Sequence, residues 1–402
     1  MPMMHPLARP LRLRTLEPEV DRRVTWLELF FDLVFVAAVS QVGNPLACDY
    51  SVVGFLRYAF FFLMIWWAWL GHTTFSTRFD PDDLVQRALT LAQMFFGAVM
   101  AVNAADAFDS RDSAGFIAAY AAMRLIQAAQ YLRASRLPES RPLSTLYLRG
   151  FGVAAALWLV SAVVPVPLRF ALWAVALAID FTTPLLAEAH SPRVPPDGAH
   201  LPERYGLFTI ILIGESVVRV MHGMESQAGW SVAAATCALG GLGVTFAVWW
   251  WYFDGVHGAA ERRVRSARDA LRLRIWSYAH LPLYLALAVA GIGLEHAIEV
   301  ADHAVLEAGE AWLLAGSLAA AMLAITAVYA TGDELPDTLR TRRVVAGHVV
   351  LAASTLGLGA LGADLTPAAF VILLTVSCAA QMALTVRASA RRPEVEVMLE
   401  LA

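Results

Sequence analysis

The chain has 402 residues and a formal net charge of −4; 58% of its residues are hydrophobic and only 16% are charged, against the roughly 25% charged of soluble globular proteins. That composition excludes an ordinary soluble domain. The net charge says little about partners, because orientation in a bilayer follows where cations lie rather than their sum.

A helix needs about 20 mostly apolar residues to cross a hydrocarbon layer roughly 30 Å thick. Twelve such runs lie between charged or Pro/Gly-rich breaks, at about 25–43, 52–71, 84–104, 114–133, 145–164, 168–187, 204–221, 231–253, 275–295, 311–330, 343–362 and 367–386. The expected fold is an all-α polytopic membrane protein of about 12 transmembrane helices. Residues 1–23 form an N-terminal tail without an apolar run of signal-peptide length, so the first span is expected to act as an uncleaved insertion signal.

The first span, "TWLELFFDLVFVAAVSQVG", carries Glu28 and Asp32. An acid at a helix centre costs about 2.5–3.5 kcal/mol, and each Leu, Ile, Phe or Val returns only about 0.3–0.6. Nine such apolar residues between Leu27 and Val39 offset roughly 3–5 kcal/mol, while two central acids cost about 5–7. Exposure of both acids to lipid is therefore unfavourable. Four residues apart, they share one helix face, which is expected to point into the bundle. Glu28 lies near the boundary, where snorkelling or pairing with Arg22 or Arg23 is an alternative.

"RFDPDDLVQR", with Arg78, Asp80, Asp82, Asp83 and Arg87, reads as a helix start, since Pro and acids suit a first helical turn. Arg124 sits mid-span between "YAAM" and "LIQAAQYL" and needs a buried carboxylate, with Asp180 and Glu215 as the candidates. Asp180 precedes Thr182, Thr183 and Pro184; the proline leaves a backbone carbonyl without its donor, which suits cation or proton handling. The stretch 188–203 reads as a linker between a first six-helix half, 24–187, and a second, 204–387, with a tail at 388–402. Glu215 lies near the centre of the seventh span, beside Ser216 and small neighbours in "IGES" that permit close approach.

The halves echo one another: a Trp cluster closes the second helix of each and an acid follows, Asp80 or Asp254, while the first helices bear Glu28 and Asp32 or Glu215. An even number of spans per half makes any repeat a parallel one. All 30 cationic residues are Arg. With the N-terminus cytoplasmic, 25 of them fall in the tails and even-numbered loops, which supports both ends being cytoplasmic. Without Lys there is no Schiff base or catalytic amine. Cys48, Cys237 and Cys378 stand far apart, and His280 and His348 are lone histidines near span ends, so no metal site and no cofactor are expected. The expected partners are the lipid bilayer and a small solute, proton or cation, with no nucleic acid.

"VTWLELFFDLVFVAAVSQV", "RFDPDDLVQR", "ERYGLFTIILIGESVV", "WWWYFD" and "HLPLYLALAVAGIGLEHAI" occur in order and resemble successive motifs of the bacterial low temperature requirement protein A family. The resemblance runs from about Arg23 to at least Ile298 and more loosely beyond. It implies a multi-pass protein of the bacterial inner membrane associated with growth in the cold, and brings no established reaction or substrate. The positions it marks are Glu28, Asp32, Arg78, Asp80, Asp82, Asp83, Arg87, Glu203, Arg204, Glu215, Ser216, Asp254, His280 and Glu295.

Two functional expectations follow. One is a secondary transporter or proton- or cation-conducting protein, with Glu215 as central carboxylate, Asp32 and Asp180 along the inner approach and Arg124 as counter-charge. The other is a membrane-embedded enzyme or a non-transporting stress or lipid-homeostasis protein. The lack of a histidine-box spacing, a glycine-rich nucleotide loop or a serine elbow weighs against enzyme chemistry.

Overall fold

A computed structural model describes residues 11–14, 24–80, 83–108, 113–227, 229, 231–255, 257–262, 264, 266–332 and 339–390. Asp82, Arg22, Arg23 and most of both tails lie outside the described residues, and Asp80 is described by its backbone alone. Among the described residues there are twelve α-helices: α1 (Trp26–Gly43), α2 (Val52–Arg78), α3 (Leu84–Val102), α4 (Ala114–Ala134), α5 (Arg141–Ser161), α6 (Leu168–Ala187), α7 (His200–Glu225), α8 (Val232–Trp250), α9 (Ala267–Glu299), α10 (Ala308–Ala330), α11 (Leu339–Leu361) and α12 (Pro367–Ala390). Eleven of these are long and apolar enough to cross a membrane. The exception is α4, whose apolar run is interrupted by Arg124, Gln127 and Gln130.

Several helices run past their apolar cores. The second continues from Gly71 through His72, Thr73, Ser76 and Thr77 to Arg78, all buried except Gly71. The ninth begins near Arg268, well before the apolar run at 275. The seventh starts at His200, inside the stretch that reads as a linker. Hydropathy ends a span at the first charge, whereas a helix continues wherever its polar side chains find partners.

The chain divides into two compact units. The first comprises Met1–Pro45, Arg57–Phe208 and Glu261–Ala270; the second comprises Leu46–Leu56, Thr209–Ala260 and Leu271–Ala402. In the first, α1 packs on α3, α3 on α4, α4 on α5 and α5 on α6. An aromatic cluster closes one end of this unit, with Phe75, Phe79, Tyr131, Tyr147 and Phe151 packed together and the Tyr131 and Tyr147 rings stacked at 4.4 Å. Leu11 and Leu13 insert into the same cluster, while Arg12–Leu13 pairs antiparallel with Phe79–Asp80 as a two-residue ladder. In the second unit α8 packs on α12, and α11 on α10 and α12. Large apolar side chains face outward from both units, among them Phe95, Leu132, Leu239, Phe246 and Val376, as lipid-facing positions require.

Local signals set the starts of α1 and α3. Thr25 caps α1 in a reciprocal box with Glu28: the Thr25 N–H donates to Glu28 Oε2 at 3.0 Å, and the Glu28 N–H donates to Thr25 Oγ1 at 3.3 Å. Asp83 caps α3 by accepting from the Gln86 N–H at 2.8 Å, as expected of "RFDPDDLVQR". It also pairs with Arg133 of α4 at 2.5 Å. Asp83→Ala removes a cap and leaves a largely buried guanidinium without its carboxylate; a loss of about 1–2 kcal/mol from the cap alone is expected, read as a lower thermal midpoint in detergent.

Candidate functional site

The first unit contains two networks of buried charge. One is centred on Asp32, which is 0% exposed on the inner face of α1. Arg204 of α7, also 0% exposed, donates from Nε to Asp32 Oδ2 at 3.0 Å and from Nη2 to Oδ1 at 2.5 Å. The Trp69 indole N–H of α2 donates to Oδ1 at 2.7 Å. A two-point guanidinium with an added donor is the geometry that offsets the cost of burying both charges.

One turn earlier, Glu28 joins the same network. Arg204 Nη1 lies 3.4 Å from Glu28 Oε1, His200 Nε2 lies 3.1 Å from that oxygen, and Arg14 Nη2 lies 3.6 Å away. Glu28 is 6% exposed, so it turns inward and does not snorkel. Its partners come from α7 and from Arg14, the residue after the N-terminal strand; Arg22 and Arg23 lie outside the described residues. Arg204 also donates to Ser76 Oγ at 3.4 Å. Glu203, 42% exposed at its side chain, stands 3.9 Å from the other ring nitrogen of His200.

The second network joins α4 and α6. Arg124 Nε lies 2.9 Å from Asp180 Oδ2, both side chains being 0% exposed. Tyr120 bridges the pair, accepting from Arg124 Nη2 at 2.6 Å and donating to Asp180 Oδ2 at 2.9 Å. Arg124 also donates to Gln127 Oε1 at 2.5 Å, and the Gln127 amide donates to the Ala68 carbonyl of α2 at 3.0 Å. The Gln127 side chain occupies room that Gly71 leaves open, since a Cβ there would run into the amide. Of the two candidate partners for Arg124, Asp180 is thus the one engaged. The hydroxyls of Thr182 and Thr183 donate back to Ala178 and Ile179 and do not turn toward Asp180.

Glu215 belongs to the second unit. It lies 3.3 Å from Arg219 one turn along α7, and Arg219 Nη1 reaches Glu295 of α9 at 2.8 Å. The Glu215 side chain is 20% exposed, which makes it less enclosed than Asp32 or Asp180. Ser216 lies against Gly291 of α9, where a Cβ would stand 3.2 Å from the Ser216 hydroxyl, whereas a Cβ on Gly214 would meet nothing within 4 Å, so the close approach in "IGES" is made at Ser216. His280 is buried and doubly bonded, to the Trp276 carbonyl at 2.7 Å and the Tyr252 hydroxyl at 2.9 Å. His348 lies 3.2 Å from the Thr326 hydroxyl. Among the described residues no group of His, Cys, Asp and Glu has a metal-binding arrangement.

The remaining marked positions are peripheral to these networks. Arg78 donates to Ser191 at 3.1 Å and lies over the Tyr147 ring. Arg87 is half-buried and Asp254 is exposed in the wide turn that ends α8. Tyr50, between α1 and α2, packs with its ring centroid 4.3 Å from that of His296 and the planes tilted by 43°, and His296 bonds Glu310 at 2.6 Å. Burial, with the Glu299 and Glu310 carboxylates nearby, pushes the Tyr50 phenol up, so it stays protonated.

Sequence reasoning missed His200, Trp69 and Tyr120, and read Arg204 as a boundary cation. The available signal was "HLPER", where His200 and Arg204 are four apart and thus share a helix face; the Pro/Gly-rich context hid it as loop.

Residues 23–384 match the family described as Bacterial low temperature requirement A protein (LtrA). The chain belongs to this family. It is also 28% identical over 283 residues to an uncharacterized protein, RA0937, of Rhizobium meliloti (strain 1021), a stretch covering 67% of this chain and 68% of that protein. No solved structure matches. Both networks of the first unit lie within the LtrA match, apart from Arg14.

Proposed function

We propose that this LtrA-family membrane protein is a secondary transporter or proton- or cation-conducting protein of the bacterial inner membrane, with the Glu28, Asp32, His200 and Arg204 network as its coupling centre. The observation that carries this reading is that one guanidinium serves two carboxylates: Arg204 reaches both Asp32 and Glu28. A plain packing clamp needs one acid per cation. Here a proton can settle on either acid while the other still neutralises Arg204, so protonation does not strand a buried charge. His200 beside Glu28 supplies a group able to pass a proton to that acid.

Such an acid supplies the differential affinity that coupling requires. Arg124 and Asp180 form the second charged station, and Asp180 Oδ1 has no hydrogen-bond partner, which leaves it open to a proton. Glu215, with Arg219 and Glu295, is a further charged cluster rather than the centre of the reading. The topology that accompanies it has both termini cytoplasmic and two parallel six-helix halves, and the role is one exercised in the cold.

The test is flux in proteoliposomes carrying an internal pH-sensitive dye. Wild-type protein is expected to dissipate an imposed pH or cation gradient faster than protein-free vesicles do, and Asp32→Asn to remove most of that excess. Dissipation no faster than in empty vesicles, under both kinds of gradient, overturns the reading.

A further inference from the structure

The two networks of the first unit are joined by a seam of buried polar groups that neither uses. On α3, Gln86, Thr90 and Gln93 recur at i, i+4 and i+7 and are all buried, forming one stripe of the helix. Gln93 Oε1 bonds His72 of α2 at 2.7 Å, and α3 packs on α4. On α4, Gln127 and Gln130 lie one turn apart, and Gln127 reaches the Ala68 carbonyl of α2. Gln93 of α3 and Gln127 of α4 therefore bring their amides against residues 68–72 of α2. One end of the seam meets Arg204 through Ser76, whose hydroxyl donates to the Thr73 carbonyl at 3.1 Å. The other meets Arg124 through Gln127.

Five side-chain atoms of this seam are buried without any hydrogen-bond partner: Thr73 Oγ1, Gln86 Oε1, Gln93 Nε2 and both polar atoms of Gln130. Gln93 and Gln130 are 0% exposed. A membrane interior offers such groups no bulk water, and native proteins leave few of them unpaired. The unused set mixes donors with acceptors and carries no charge. Water, which does both, fits that set, and an anion or a metal ion does not. At about three bonds per buried water, on the order of two waters satisfy all five atoms.

We infer that the α2–α3–α4 seam is an internal water-binding site lined by Thr73, Gln86, Gln93 and Gln130, connecting the Arg204 network to the Arg124 network. Its use as a proton route rests on the reading above; its hydration does not.

The experiment is millisecond X-ray hydroxyl-radical footprinting of the full-length protein in detergent, because radicals formed from bound water oxidise side chains beside it. His72 is 2% exposed and touches the seam through Gln93. The expected result is oxidation of His72 in the wild type that is lost in Gln93→Leu/Gln130→Leu. An unlabelled His72, or labelling unchanged in the double variant, overturns the inference. Should that variant fail to fold, Gln130→Met, of similar length and without the amide, takes its place with the same expectation. Labelling of His72 without any proton flux supports the hydrated seam and counts against the transport reading alone.

Discussion

Asp32→Asn is expected to lower the stability of the protein by about 1.5–3 kcal/mol, the cost of the charge-assisted hydrogen bonds it gives up, while Glu28 still neutralises Arg204. Arg204 is 0% exposed, and with Asp32 neutralised its nearest remaining carboxylate is Glu28 at 3.4 Å from a single guanidinium nitrogen. The measurement is the thermal midpoint in a defined detergent. Asp32→Asn/Arg204→Gln is expected to cost less than the sum of the two single variants, because Asp32 and Arg204 contact one another and Glu28 keeps His200 and Arg14 beside it; contacting residues couple in this non-additive way. Proton flux is not expected to return in the double variant, since no titratable acid remains at that position. Arg204→Lys separates the roles further. An ammonium keeps the charge but cannot span Asp32 and Glu28 with a rigid fork, so it is expected to be only partly stabilising. Flux at the wild-type rate in the folded double variant would reduce the network to a packing device.

The second large effect is expected at the other pair. Either Arg124→Met or Asp180→Asn alone leaves a fully buried partner unbalanced, at about 3–5 kcal/mol. Arg124→Met/Asp180→Leu replaces both charges with apolar groups of similar bulk and is expected to come close to wild-type stability, because buried ion pairs are often matched by apolar substitutes. Tyr120→Phe is the milder control: it removes one bridging hydroxyl that both accepts from Arg124 and donates to Asp180, at about 1–3 kcal/mol. Comparing proteoliposome flux in the stable double variant with that of the wild type decides whether Asp180 moves protons. Loss of flux with retained folding is expected, and full flux would make this pair a clamp between α4 and α6.

Glu28 illustrates how one residue answers to several levels of structure. Local sequence places it third in a helix whose cap is Thr25, and the capping box forms as the spacing dictates. Its Oε1, however, faces Arg204 and His200, which the local sequence does not announce. Arg204 stands 172 positions from Asp32 in the chain. It was legible as a cation at a span boundary and not as the buried half of an ion pair.

The sequence by itself determined that this protein is a bundle of membrane-crossing helices, that Asp32 and Arg124 belong inside it, and that it carries the motifs of the LtrA family. Those features follow from the free energy of moving single side chains and apolar runs into lipid, which is a local property of the chain. Tertiary structure alone decided which cation meets which acid: Arg204 for both Asp32 and Glu28, and Asp180 and not Glu215 for Arg124. Those pairings depend on how each helix is rotated and how far it extends past its apolar core, which packing against neighbouring side chains sets and hydropathy does not record.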